Sequence, residues 1–225
     1  MASAPLPEAT SADVDWIMVS IRRWRSRLLQ FAALLCATTV LIGASPEAQK
    51  NSGSLAGQLL IAAPTIGDPR FAHAVILLLR QDDTGAFGIV LNHPIERRSV
   101  ASLSEATGDR SPGLEGSIEV FAGGPVQPEL GFVVHSPDYH DSATLVVGNQ
   151  VAMTADKQIL RDIGHNKGPK EALFAFGYAG WGPGQLEGEI AAHDWFTTTG
   201  DPKLIFDYDR GNLWDEAMKR RTQEL

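Results

Sequence analysis

The chain has 225 residues, of which 44% are hydrophobic and 20% charged, so its composition excludes a disordered or collagen-like protein. Its single cysteine, Cys36, excludes an internal disulfide and a cysteine-ligated metal cluster. Residues 56–225 carry 14 Lys and Arg against 23 Asp and Glu, a formal net charge of −9. Direct nucleic-acid binding is therefore disfavoured, because it depends on cationic side chains at the phosphates.

The N-terminal segment predicts export or membrane attachment. We interpret residues 1–17, which are polar and without periodicity, as disordered or as the product of a start codon assigned upstream of Met18. In residues 18–45 a flank with four arginines precedes an uncharged apolar stretch at 28–44. This pattern is typical of a signal peptide, here with cleavage after Ala44, but the stretch also has the length of a short membrane anchor. The periplasm or the inner membrane is the expected location, with residues 28–44 contacting the membrane if they are not cleaved.

A polar stretch at 46–56 predicts a linker, and the first half of the domain at 57–221 follows as short strands. Apolar runs bounded by turn residues predict strands at 58–62, 74–79 and 87–91. The last two form a hairpin through the turn at 82–85. A short helix is predicted at 100–106, and four more apolar runs predict strands at 118–122, 131–135, 144–147 and 151–153.

The second half of the domain adds most of the helices. A helix capped by Thr154 is predicted to end near Ile163, and a strand follows at 172–178. A glycine-rich turn at 180–184 leads into a helix at 185–193, and a last helix at 213–218 is capped by Asn212. Hairpins followed by helices favour an α/β fold of the α+β type, with a mixed, mainly antiparallel and curled sheet.

The sequence contains no standard catalytic or metal-binding motif. An H-E-x-x-H pair, a Walker phosphate loop and a G-x-S-x-G nucleophile elbow are all absent. We therefore predict no catalytic residues, no metal ligands and no cofactor. His135 with a nearby carboxylate is the arrangement on which a hydrolase hypothesis would rest.

Seven short motifs follow one another between residues 57 and 187. They are GQLLIAAP at 57–64, DPRF at 68–71, GIVLNHP at 88–94, GGPV at 123–126, GFVVH at 131–135, GYAGW at 177–181 and GQLE at 184–187. In this order they resemble the YqgE/AlgH family over residues 57–220. The resemblance implies a single α/β domain whose sheet curls into a partial barrel with flanking helices. It implies no settled activity, but one member's name is associated with transcriptional control, which suggests regulation. Because this domain is acidic, we expect such regulation to be indirect. The resemblance also makes the cytosol the alternative location.

Our leading hypothesis is a non-catalytic binding or regulatory domain. The turns at 92–94, 123–125 and 181–187 would meet to form a surface for a small ligand or a protein partner, because turn glycines let a backbone approach a partner closely. The candidate residues of this surface are Asp68, Asn92, Gly123, Gly124, His135, Trp181, Gln185 and Glu187. The alternatives are the hydrolase that uses His135 and a regulator that binds nucleic acid.

Overall fold

The computed structural model describes residues 53–222. The predicted signal peptide or membrane anchor and most of the predicted linker lie outside the described residues. Within residues 53–222, no helix has both the length and the apolar character that a membrane crossing requires.

Ten strands form one curled, half-barrel sheet within the described residues. Eight follow one another across the sheet in the order β10-β1-β2-β3-β9-β6-β8-β7, while β5 pairs with β9 and β4 with β5. Among the described strands, β5 and β9 are the parallel pair and the others pair antiparallel, which confirms the predicted mixed sheet. The strands are β1 (Gln58–Ala62), β2 (Val75–Asp82), β3 (Gly85–Val90), β4 (Pro94–Ser99), β5 (Ser117–Ala122), β6 (Val126–His135), β7 (Thr144–Val147), β8 (Val151–Thr154), β9 (Ala172–Trp181) and β10 (Trp195–Thr199).

Short helices flank this sheet. The four α-helices of the described residues are α1 (Val100–Ala106), α2 (Gln158–Gly164), α3 (Gln185–Ala191) and α4 (Leu213–Lys219). A 3-10 turn spans Pro69–Phe71, and a π-helical segment spans Lys203–Asp207. Each α-helix has only seven residues, a length at which helices depend on packing against the sheet for their stability.

Two apolar clusters make up part of the core of the described residues. One joins β1, β2 and β3 to α3 and includes Leu60, Ile76 and Leu186, all fully buried. The other packs α1 and α2 against β5, β6 and β9. The helix α4 contacts β1 and β2. All of residues 75–79 in β2 are buried, as expected for a continuous apolar strand that is covered on both faces.

Two strands were missed by the sequence analysis. The first, β4, has the sequence PIERRS and is almost wholly exposed, so it lacks the apolar alternation that identifies a strand. It exists because it pairs with β5. The second, β10, is rich in threonine and pairs with β1 along its whole length. The strand β4 is therefore specified by its partner strand more than by its own composition, whereas the Trp, Phe and Thr residues of β10 favour a strand by themselves.

Three local predictions were wrong. The strand β9 continues through Gly180 and Trp181, which the predicted glycine-rich turn included, because they pair with Phe87 and Ala86 of β3. Thr154 does not cap α2. It is the buried last residue of β8. Asn212 precedes α4 but makes no side-chain cap, since its amide donates to Asp209 instead.

Candidate functional site

Asn92, two residues beyond β3, ties two segments of the chain together. Its Oδ1 accepts a hydrogen bond from the Val75 backbone N–H at 2.8 Å, and its Nδ2 donates to the His73 carbonyl at 2.8 Å. His73 has a φ of +55°, in the left-handed region that is unfavourable for a non-glycine residue. The Asn92 amide therefore helps to hold a strained turn at the start of β2.

The turn held by Asn92 forms one wall of a cavity of about 300 Å³. The second wall comes from the chain before and within α4, where the Trp214 indole donates to the Ala62 carbonyl at 2.8 Å. The His73 ring meets the Trp214 ring edge to face, with 4.6 Å between centroids. We call this cavity the Asn92 pocket; it is lined by Ala72, His73, Asn92, His93, Arg210, Gly211, Trp214 and Asp215.

Arg210 brings a positive charge to the Asn92 pocket. Its Nη1 donates to the Leu204 carbonyl at 3.3 Å and its Nη2 donates to the Phe206 carbonyl at 3.0 Å. The guanidinium also lies over the Phe121 ring, 5.3 Å from its centroid. No carboxylate of residues 53–222 forms an ion pair with it within 4.0 Å. Burial lowers the pKa of Arg210, but an arginine stays charged in a protein.

His93 adds a histidine ring whose environment disfavours its charged form. Burial lowers the pKa of His93, and a hydrogen bond to the Ala72 carbonyl only partly offsets this effect. At neutral pH this ring is therefore uncharged and offers the pocket one hydrogen-bonding nitrogen besides the one that faces Ala72. The arrangement can recognise a ligand through a guanidinium, an imidazole and an indole.

The structure brings two of the three predicted turns together. The Ala122 N–H donates to the His93 carbonyl at 2.9 Å, and the Val90 N–H donates to the Gly123 carbonyl at 2.8 Å. Gly123 is buried and approaches the Gly177 backbone so closely that a Cβ would collide with it. At Gly124, where φ is +152°, a Cβ would collide with the Tyr178 backbone. In these positions glycine permits the close packing of the chain on β9.

The third predicted turn lies beside the other end of β3, where Trp181 pairs with Ala86. Trp181 is only 8% exposed, and its indole donates to Glu189 at 2.8 Å. Gln185 accepts from the Gly182 N–H at 3.0 Å and donates to Glu189 at 2.8 Å. Glu187 accepts from Gln81 at 2.6 Å. The polar groups of Trp181, Gln185 and Glu187 thus fasten α3 to the sheet.

Asp68 stabilises the short 3-10 turn that precedes β2. Its carboxylate accepts from the Arg70 backbone N–H at 3.0 Å and forms an ion pair with the Arg70 guanidinium at 2.6 Å. The hydrogen bonds from Arg70 hold the pKa of Asp68 below its usual value. Asp68 is therefore a capping residue, and it is not among the residues that line the Asn92 pocket.

His135, the residue of the hydrolase hypothesis, is fully buried. Its Nδ1 lies 2.8 Å from the Ser136 carbonyl and must donate to it, because a carbonyl can only accept. Its Nε2 lies 3.0 Å from Thr154 Oγ1, which donates in return. Burial lowers the pKa of His135. Both nitrogens are thus occupied by other partners. The charges of Asp138 and Asp141 act on the ring, but neither carboxylate is hydrogen-bonded to it.

Sequence reasoning missed most of the Asn92 pocket. Of the eight lining residues it had singled out only Asn92, and it had noted the motif that contains His93. His73, Arg210 and Trp214 belong to no motif with a chemical signature and come from distant parts of the chain. The weak signal available was an arginine directly before the predicted last helix.

A family model described as AlgH-like matches residues 59–225. A UPF0301 protein of Novosphingobium aromaticivorans is 42% identical over 166 residues, which cover 74% of this chain and 89% of the relative. A UPF0301 protein of Jannaschia is 44% identical over 167 residues, covering 73% of this chain and 87% of the relative.

Solved structures show the same fold. The AlgH protein of Pseudomonas aeruginosa matches with a TM-score of 0.64 and 33% identity, covering 80% of this chain and 92% of that protein. A Corynebacterium diphtheriae protein matches in fold with a TM-score of 0.58 at 21% identity, covering 74% of this chain and 87% of that protein. Together with the family model and the curated relatives, these similarities identify the chain as a member of the AlgH-like family.

Proposed function

We propose that this domain is a non-catalytic binding protein of regulatory type, and that a small organic ligand occupies the Asn92 pocket. The observation that carries the proposal is the convergence of three separate segments on one cavity of about 300 Å³. Small-molecule sites are concave and combine apolar or aromatic walls with a few fixed polar groups. Trp214 and His73 provide the aromatic wall, and Arg210 and His93 provide the polar groups.

The chemistry of the pocket supports recognition more than catalysis. A nucleophile needs a base within hydrogen-bond reach, and a catalytic base is usually oriented by a third group. In the described residues, the side-chain bonds of Asn92 and Arg210 go to the backbone. These bonds position the side chains at the pocket and leave its other hydrogen-bonding groups for a ligand.

A ligand screen read by NMR tests the proposal. A library of small water-soluble metabolites would be titrated into the ¹⁵N-labelled domain while the Trp214 indole N–H signal is followed, with Trp214→Phe used for its assignment. We expect a subset of compounds to shift this signal. The matched variants are His73→Gly, which removes a lining ring and relieves the positive φ, and Gln185→Ala at the start of α3.

The two variants separate the possible sites. Binding that weakens in His73→Gly and is unchanged in Gln185→Ala supports the Asn92 pocket. Binding that weakens only in Gln185→Ala would place the ligand at the turn at 181–187 and would contradict the proposal. No shift with any compound would contradict a small-ligand function for this pocket.

We further propose that any effect on transcription is indirect and passes through the bound ligand or a protein partner. The support is the net charge of −9 on residues 56–225, which repels phosphates. Fluorescence anisotropy with a mixed-sequence DNA duplex at physiological salt checks this. Binding tighter than about 1 μM, the upper end of ordinary non-specific affinity, would contradict it.

A further inference from the structure

Two opposite charges line the Asn92 pocket and lack ion-pair partners. Arg210 and Asp215 both border the cavity, and neither belongs to an ion pair among residues 53–222. A pocket with one cation and one anion on its walls is complementary to a ligand that carries both charges. The inference about that ligand rests on the proposed function.

The positive charge of Arg210 favours an anionic group of the ligand on its side of the pocket. A guanidinium has five N–H donors in a planar fork, and the protein uses donors from two of its nitrogens for the Leu204 and Phe206 carbonyls. The side chain is half-buried, and the negative charges of Glu119 and Asp207 act on it without forming an ion pair within 4.0 Å. A ligand carboxylate can accept from the remaining donors, in the geometry that guanidinium groups recognise well.

The negative charge of Asp215 favours a cationic group of the ligand on its side of the pocket. Its exposed carboxylate makes no hydrogen bond or ion pair with the described residues. It also borders a neighbouring depression of about 520 Å³, which is lined by Asp207, Tyr208, Asp209, Asn212 and Lys219 as well. Three carboxylates against one ammonium give this side a negative potential, which attracts a positively charged group.

We propose that the ligand of the Asn92 pocket is a small zwitterion of the α-amino-acid type. Its carboxylate pairs with Arg210, its ammonium group pairs with Asp215, and its side chain packs against the Trp214 ring. A phosphate dianion fits less well, because Asp215 repels it and Arg210 is the one lining residue of the pocket with a permanent positive charge.

Calorimetric titration of the domain with charge-matched probes tests this. The probes are the standard L-amino acids, the carboxylic acids and amines that lack one of the two charges, and inorganic phosphate. We expect at least one amino acid to bind, and its single-charge analogues to bind roughly tenfold or more weakly. Asp215→Asn should lower the affinity for the amino acid to that for its carboxylic acid analogue, and it should leave the affinity for the analogue unchanged.

Arg210→Gln and Arg210→Lys test the other charge, the second variant keeping the cation in case the first fails to fold. We expect Arg210→Gln to abolish binding of both the amino acid and the carboxylic acid, and Arg210→Lys to retain part of it. The inference is overturned if the single-charge analogues bind as tightly as the amino acid, if Asp215→Asn has no effect, or if phosphate alone binds.

The outcomes also separate this inference from the proposed function. If no amino acid binds while another metabolite shifts the Trp214 indole signal, the inference of a zwitterionic ligand is wrong and the proposed binding function stands. If nothing binds at the Asn92 pocket, both are wrong.

Discussion

Asn92 shapes the pocket by holding the backbone around it, because both ends of its side-chain amide bond to backbone groups. Both ends of its amide are engaged, one with Val75 and one with His73. Arg210 is the contrasting case, since its two carbonyl contacts leave guanidinium donors for a ligand. At the residue scale, the group that positions the pocket and the group that we propose to recognise its ligand are therefore different residues.

We predict that Asn92→Ala lowers the free energy of unfolding by about 1–3 kcal/mol. Val75 is fully buried, so its N–H would lose an acceptor without gaining water. Urea unfolding followed by tryptophan fluorescence measures the loss. The exposed Glu105→Ala on α1 is the control and should stay within about 0.5 kcal/mol of the wild type. Equal stability of the two variants would show that the Asn92 bonds contribute little.

His135 leads to a prediction about pH. Burial lowers the pKa of His135 in the folded protein, whereas a histidine in the unfolded chain titrates near 6.5. Below about pH 6.5 the unfolded chain takes up the proton first, so stability is retained above that pH and falls as the pH drops. His93, whose pKa is lowered by burial as well, acts in the same direction.

The expected result for His135→Gln is a smaller pH dependence of stability than in the wild type between about pH 7 and 5. Each histidine can contribute a slope of at most about 1.4 kcal/mol per pH unit. Urea unfolding at several pH values measures the slope, and the exposed His165→Gln is the matched control. A wild-type slope in His135→Gln would mean that this imidazole does not limit stability at acid pH.

At the scale of elements, the Glu189 carboxylate of α3 links this helix to both β9 and β10. Glu189 Oε2 accepts from the Trp181 and Trp195 indoles, each at 2.8 Å, and its Oε1 accepts from Gln185. The two indole rings also meet edge to face, with 5.9 Å between centroids. A seven-residue helix has little stability of its own, so this attachment and the burial of Leu186 keep it in place.

Glu189→Ala should therefore destabilise the domain by about 2–4 kcal/mol, because two nearly buried indole N–H groups lose their acceptor. Glu189→Gln keeps one acceptor oxygen and should cost less. The control on the same helix is Glu187→Ala, whose exposed bond to Gln81 should be worth less than about 1 kcal/mol. Thermal unfolding and the tryptophan emission maximum report both effects; similar losses for Glu187→Ala and Glu189→Ala would contradict the assignment.

At the scale of the whole molecule, we expect the N-terminal segment to decide where the acidic domain is located. The basic flank and the apolar stretch at 28–44 still predict either a cleaved signal peptide or a membrane anchor. N-terminal sequencing of the native protein, with periplasmic and membrane fractions assayed separately, distinguishes these outcomes. Cleavage predicts a mature chain that starts at Ser45, and an anchor predicts membrane association with residues 28–44 retained. An intact chain in the cytosol would contradict both.

Local sequence patterns were sufficient for much of the fold. The bounds of β1 and α1 agree with the apolar run at 58–62 and the helix predicted at 100–106. Local residue patterns mark where these elements begin and end, although neither is stable apart from the packed sheet. The strand β4 could not be found this way, because its exposed, charged residues become a strand only by pairing with β5.

The amino-acid sequence by itself determined the apolar runs, the turns, the family motifs and the acidic charge, because each of these is local or additive along the chain. The tertiary structure alone decided the candidate site. It showed that Gly123 and Gly124 serve chain packing, that His135 has no carboxylate hydrogen bond, and that Arg210 and Trp214 lie beside Asn92. Those relations depend on how distant segments pack around a curled sheet, which no local pattern records.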